Sequence, residues 1–432
     1  MDSAIIGLIG FGALVLLLAA GMPIGFAAIL IGFLGLVVLA GSTPAYAVVG
    51  FISHAATSKH VFTVVPLFIL MGHLAYYAGF TKGAFWAARQ WFGRLPGGLA
   101  IATVAGCAGF SAVSGASTAA VAVMGKIAVP EMERYKYDKK LAVGSVAAAG
   151  TLAIMIPPST LIVIYAIITE TSIAKLLIAG ILPGLLSATL YMIMIILRAT
   201  QNPKLGAAVH GISWKERFIS IRGLGGIIAI FALIMGGLFA GVFTPTEAGA
   251  VGTFGTLVLA IAGRRLSWQN LSEALLEAAK TTCIVFTVII GILMFTHFIA
   301  LSGLTSTLAN FLIEAPVPPM VVLIGIMALY LFLGMFIDAL GMLLLTLPVV
   351  LPAVLAFGYD PIWFGILVVH MAEIGLITPP VGLNIYVLKG VLPDIPVSDM
   401  FKGILPFLIM DLIDLGILMA IPQVILFLPG RM

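Results

Sequence analysis

The chain has 432 residues, 62% hydrophobic and only 9% charged, with a mean hydropathy of +1.23 and a formal net charge of +4. Globular chains carry about 25% charged residues, so composition excludes a water-soluble fold and predicts a polytopic membrane protein with about a dozen helical crossings or part-crossings. No basic groove with interleaved aromatics supports nucleic-acid binding, and Cys107 and Cys283 lack metal-ligand spacing and read as small core residues.

From the N-terminus, the run Ala4 to Ala20 lacks a basic leader and ends in Gly21-Met22-Pro23, so it is expected to be a retained span. Lys and Arg cluster at 82–94, 126–140, 198–222 and 264–265. The positive-inside rule makes these loops cytoplasmic, together with Lys280, Lys389 and Lys402. Only Lys59, Lys175 and Arg431 then lie outside, a split of 18 to 3. All five tryptophans (Trp86, Trp91, Trp214, Trp268, Trp363) adjoin charged or polar loops, as an interfacial belt predicts. Gly97 to Val129 joins two cytoplasmic loops and must cross an even number of times, yet its 33 residues are too few for two spans of about 20. Its centre, "GFSAVSGASTAA" (Gly109 to Ala120), is rich in small and hydroxyl residues, which predicts a re-entrant hairpin with its tip buried in protein.

The next apolar run contains "IMIPPSTLIVIY" (Ile154 to Tyr165). Proline in a helix interior costs about 3 kcal/mol, and lipid offers no water to the freed carbonyls, so a transmembrane helix is broken here for a purpose. Residues 198–222 form a cytoplasmic connection. "TPTEAGAVG" (Thr244 to Gly252) reads as a helix start, with Thr244 as N-cap, Pro245 in the first turn and Glu247 closing a capping box. Ser267 to Lys280 reads as an amphipathic helix along the inner surface, and Leu301 to Glu314 is shorter than a span. "FIDALGMLLLTLPVVLP" (Phe336 to Pro352) is expected to be a second hairpin, followed by a second break in "GLITPPVGLNIY" (Gly375 to Tyr386). Pro130 and Pro157 are 27 residues apart, as are Pro352 and Pro379. One hairpin enters from the cytoplasm and the other from outside, which makes the halves an inverted repeat.

Interrupted helices at matching positions of two halves point to a transporter's binding site. Unwound backbone offers carbonyls to cations, and half-helix N-termini face anions. Ser111, Ser114, Gly115, Ser117 and Thr118 at the first tip face Pro157, Pro158, Ser159 and Thr160. Their bland alternative is close helix packing. Asp338 and Gly341 at the second hairpin stand opposite Thr378, Pro379, Pro380, Gly382 and Asn384, the alternative being that Asp338 merely starts a helix. His370 and Glu373 lie one turn apart before the second break, where they either carry a proton or pack. Asp411 and Asp414 share a face of the last long helix and are expected to contact a partner helix. Hydroxyls and backbone dominate the breaks without an acid–base relay, which favours sodium over protons. Enzyme chemistry is disfavoured. His-Glu-x-x-His and nucleotide-loop motifs are absent, and "AVSGAS" has Ala112 where an intramembrane serine protease needs glycine. No ring of repeats suggests a channel.

The run "GTLAIMIPPSTLIVIYAIITETSIAKLLIAGILPG" (Gly150 to Gly184), with "FTPTEAGAVG" and "GLITPPVGLNIY", resembles the large membrane subunit of TRAP (tripartite ATP-independent periplasmic) transporters. The resemblance covers essentially the whole chain. It implies a sodium-driven, inverted-repeat elevator in the bacterial inner membrane, importing a small carboxylate such as a C4-dicarboxylate, sialic acid, or another acidic sugar or keto acid. It implies scaffold helices at 1–96, a first transport repeat at 97–198, scaffold and connection at 199–336, a second repeat at 337–400 and a last helix at 401–432. The partners implied are a small four-helix membrane subunit and a periplasmic substrate-binding protein, and the only cofactor is the coupling Na+. By the same resemblance, sodium would be held at Ser111, Ser114, Gly115 and Pro157 to Thr160, and at Asp338, Gly341 and Thr378 to Gly382. Ser117, Thr118, Thr160 and Asn384 would face the substrate. The tip reads Ser114-Gly115-Ala116-Ser117 where many relatives have Ser-Gly-Ser-Ser, and Ala166 stands where glycine often follows the tyrosine. A stand-alone sodium- or proton-coupled anion transporter is the alternative reading.

Overall fold

The computed structural model describes residues 3–209, 213–314 and 317–432, and among these the regular structure is helical throughout. Among the described residues, seven apolar helical stretches are long enough to cross a membrane, and six more are apolar but shorter.

The first half opens with α1 (Ser3–Ala19), α2 (Ile24–Ala40), α3 (Ser42–Ser58), α4 (Val64–Tyr77) and α5 (Phe80–Phe92). A hairpin follows, α6 (Gly98–Ser114) and α7 (Ser117–Arg134), turning at Gly115 and Ala116 as expected. Then comes a broken helix, α8 (Lys139–Met155) and α9 (Thr160–Ile168), interrupted at the proline pair. The half closes with α10 (Ile173–Ala179) and α11 (Ile181–Gln201).

The second half has α12 (Trp214–Phe239), α13 (Pro245–Ala262), α14 (Trp268–Leu301) and α15 (Leu304–Glu314). Its hairpin is α16 (Pro319–Gly334) and α17 (Ala339–Ala356), and its broken helix is α18 (Pro361–Gly375) and α19 (Leu383–Val391). The chain ends with α20 (Val397–Ala420) and the short α21 (Gln423–Leu426). Hairpin, helix, break and short helix thus recur in the same order. The halves also interlock, since α9 packs on α17 of the other half and α19 packs on α7.

Four expectations change. The stretch from Phe336 to Pro352 is the second hairpin's tip and part of its second arm; the first arm is α16, which begins before residue 337. The amphipathic stretch from Ser267 to Lys280 is the start of the 34-residue α14, because no proline or glycine stops the helix before it enters the apolar run. Trp363 is not a belt residue: it is buried, and its indole N–H donates to the Leu418 carbonyl at 2.9 Å. The other four tryptophans are exposed, Trp268 most of all. Cys107 is buried as expected, whereas Cys283 lies on an exposed face of α14.

The capping box at Thr244 forms as read. The Glu247 carboxylate accepts from the Thr244 N–H at 2.8 Å, and the Thr244 hydroxyl accepts from the Glu247 N–H at 3.3 Å.

The core is held by close backbone contact. A Cβ on Gly144 of α8 would collide with the carbonyl oxygen of Gly403 on α20, and one on Gly403 would collide with the Lys140 carbonyl. Such interfaces replace the hydrophobic drive that lipid removes. Gly144→Leu is therefore expected to destabilise the purified chain by roughly 1–3 kcal/mol through overpacking, read as a lowered Tm in detergent. An unchanged Tm would mean that α8 and α20 are free to separate.

Candidate functional site

The hairpin tips and the breaks converge. At the first tip, Gly115 has φ +64°, and a Cβ there would lie 2.7 Å from the Pro158 carbonyl oxygen. The tip therefore touches the first break directly. At the second, the backbones of Gly334 and Gly375 touch, which brings the end of α16 against the end of α18 just before the second break.

Between these contacts lies a cavity of about 380 Å³. Its core-side wall carries Ser114, Gly115, Ser117, Thr118, Thr160 and Asp338. The first turns of α7, α9, α17 and α19 all reach it, through Ser117 to Ala119, Thr160 and Leu161, Ala339 and Leu340, and Leu383. Among the described lining residues there is no lysine or arginine. Positive potential in the cavity therefore comes from helix N-termini rather than from fixed cations.

These four N-termini are not equivalent. Ser159 caps α9 by accepting from the Ile162 N–H at 3.3 Å. Asp338 caps α17, its Oδ2 accepting from the Leu340 and Gly341 N–H groups at 3.2 Å each. The starts of α7 and α19 have no side-chain cap. The first-turn amides of α7 are left for a ligand, whereas in α19 the Asn384 N–H donates to the Leu376 carbonyl at 3.0 Å and the Ile385 N–H to the Gly382 carbonyl at 2.8 Å. A bond across the halves joins them: Asn384 Nδ2 donates to Ser117 Oγ at 2.7 Å. Asn384 is fully buried, and its Oδ1 has no partner among protein groups.

The other predicted residues sit behind this lining. Ser111 is buried one turn back from the tip and donates to the Cys107 carbonyl at 2.7 Å. Pro157, Pro158 and Ser159 are buried in the first break. Thr378 donates to the Ile374 carbonyl at 2.6 Å, with Pro379 half-buried, Pro380 exposed and Gly382 buried. Gly341 packs on Ile24 of α2. For Asp338 the two readings merge, since it both starts a helix and faces the cavity.

Sequence reasoning missed the opposite wall, formed by His73 and Tyr76 of α4 with Thr281 and Ile284 of α14. His73 was the available signal, as an ionisable residue within an apolar helix. His370, Glu373, Asp411 and Asp414, noted as two separate pairs, form one buried cluster outside the cavity lining.

Residues 11–424 match the model of a family described as "Tripartite ATP-independent periplasmic transporter, DctM component". The chain belongs to that family. It is 36% identical over 377 residues to the C4-dicarboxylate TRAP transporter large permease protein DctM of Pseudomonas aeruginosa, covering 87% of each chain. It is 34% identical over 422 residues to the sialic acid TRAP transporter large permease protein SiaM of Vibrio cholerae, covering 96% of each. Among solved structures, the Alcanivorax borkumensis YdaH transporter shares the fold, with a TM-score of 0.60, 16% identity and 88% of each chain covered. The chain is thus a multi-pass membrane protein of the TRAP large-permease family.

Proposed function

We propose that this large permease imports a small organic anion bearing a carboxylate across a bacterial inner membrane, in symport with sodium. One observation carries the reading: a cavity with the uncapped N-terminus of α7, hydroxyls at Ser117, Thr118 and Thr160, and no lysine or arginine among its described lining residues. Such a site attracts an anion through backbone N–H groups. The names of both relatives support the class, since C4-dicarboxylates and sialic acid are carboxylates.

Sodium suits the opposite helix ends. The C-terminal carbonyls of α6 and α8, beside Gly115 and Pro158, offer hard oxygen ligands. Asp338 and the backbone near the second break would serve the second ion. The hairpins and broken helices would move as one body against α1–α5 and α12–α14, an elevator in which the tips travel with the cargo. A small four-helix membrane subunit and a periplasmic binding protein would complete the system, the latter delivering the anion to the outer face.

Reconstitution tests this. With the small subunit in liposomes and a binding protein outside, uptake of labelled dicarboxylate or sialic acid is expected only under an inward sodium gradient. Uptake without the soluble protein would favour a stand-alone transporter. Uptake driven by a pH gradient in sodium-free buffer would remove sodium as the coupling ion.

A further inference from the structure

Away from the cavity, four titratable side chains meet inside the hairpin-bearing core. His370 Nδ1 lies 3.2 Å from Glu373 Oε2. His370 Nε2 lies 3.1 Å from the Asp411 carbonyl oxygen and 3.9 Å from Asp414 Oδ2. From α11, the Tyr191 hydroxyl donates to Asp411 Oδ1 and the Ser187 hydroxyl donates to Asp414 Oδ2. All four titratable residues are at most 2% exposed. One oxygen of each carboxyl, Glu373 Oε1, Asp411 Oδ2 and Asp414 Oδ1, has no partner among protein groups.

The charge count does not close. Three carboxylates around one imidazole leave an excess of two negative charges even when the ring is fully protonated. Each uncompensated charge in such an interior costs several kcal/mol. The charges acting most strongly on the cluster come from its own members. Neighbouring elements bring Thr151 of α8 and Ser187 and Tyr191 of α11, none of them a cation. The cations on the packed elements, Lys139, Lys140, Lys175, Arg198, Lys389 and Lys402, are not among the charges acting most strongly on the cluster. None of the described cavities is lined by the four residues, and among the described residues no group of side chains is arranged to hold a metal ion.

We propose that His370, Glu373, Asp411 and Asp414 form a proton-binding site apart from the transport cavity, which holds two protons beyond the imidazolium's and fastens α18 and α20 to α11. The three unpartnered oxygens are the seats for those protons. The site stands whichever ion drives transport. Two of its three carboxyls are protonated and its imidazole is charged in the folded chain. In the unfolded chain the carboxyls are ionised at neutral pH and the imidazole is largely neutral above it, so the folded state binds more protons and stability falls as pH rises. Two extra protons at about pH 6, rising to three once the unfolded histidine is neutral, lower the folding equilibrium constant by up to about a hundred- to a thousandfold per pH unit.

The test uses the full chain in lipid nanodiscs, with infrared spectra and thermal unfolding from about pH 6 to pH 9. Expected are a carboxylic-acid C=O band at neutral pH that fades on alkalinisation, and a Tm that falls over the same range. Glu373→Gln, Asp411→Asn and Asp414→Asn should each weaken the band and flatten the Tm slope, while Asp338→Asn, which removes the cavity's own acid, should leave both. No band at neutral pH in the wild-type chain overturns the proposal, and so does a band lost in Asp338→Asn. If the cluster variants fail to fold, those two chains alone decide it.

Discussion

Gly115→Val is expected to abolish uptake. The residue has φ +64°, a left-handed conformation that costs an L side chain about 1–2 kcal/mol. The larger effect is positional. Its Cβ would lie 2.7 Å from the Pro158 carbonyl oxygen, which is rigid backbone rather than a flexible side-chain end. The tip must lift away from the break, and Gly72 of α4, packed against the Ser114 carbonyl, restricts where it can go. Displacing the tip by about 1 Å costs on the order of a hundredfold in rate. Uptake in the reconstituted system should fall by at least that factor, and sodium should no longer raise the Tm of the purified chain. Wild-type uptake by this variant would separate tip from break in the working protein.

Asn384→Leu is the second large effect, acting through the bond that ties the halves together. Leucine keeps the volume but leaves the buried Ser117 hydroxyl without its donor, a loss of about 1–3 kcal/mol. Uptake should drop by about ten- to a hundredfold while the chain still folds, because the affected groups flank the cavity rather than the core. A double-mutant cycle with Ser117→Ala should return a coupling of about 0.5–3 kcal/mol. Additive losses would show that the bond does not matter to transport.

Much of this fold was legible because its strongest signals are local. Proline pairs at Pro157-Pro158 and Pro379-Pro380 break helices wherever they stand in an apolar run, and the small-residue tip around Gly115 announces a hairpin. Thr244 and Glu247 declare a helix start within four residues. The second hairpin was harder. Its first arm, α16, is uniformly apolar and has the composition of an ordinary span, so nothing in it marks a hairpin. Least legible was the polar cluster. Ser187 and Asp414 are 227 residues apart, Tyr191 and Asp411 are 220 apart, and no local pattern records such pairings. The uncapped starts of α7 and α19 were half visible, since Ala116 and Gly382 cannot cap, but their meeting at Asn384 was not.

One element carries a consequence for the surrounding lipid. At about 1.5 Å per residue the 34 residues of α14 reach about 51 Å, against a hydrocarbon layer of about 30 Å. The surplus is amphiphilic and begins at Trp268, the most exposed aromatic among the described residues. Because α14 packs along both α2 and α4, any tilt it adopts to match a thinner or thicker bilayer is passed to the wall that bears His73 and Thr281. Acyl-chain length thereby becomes a setting of the protein itself, and vesicles of differing thickness should not support equal rates.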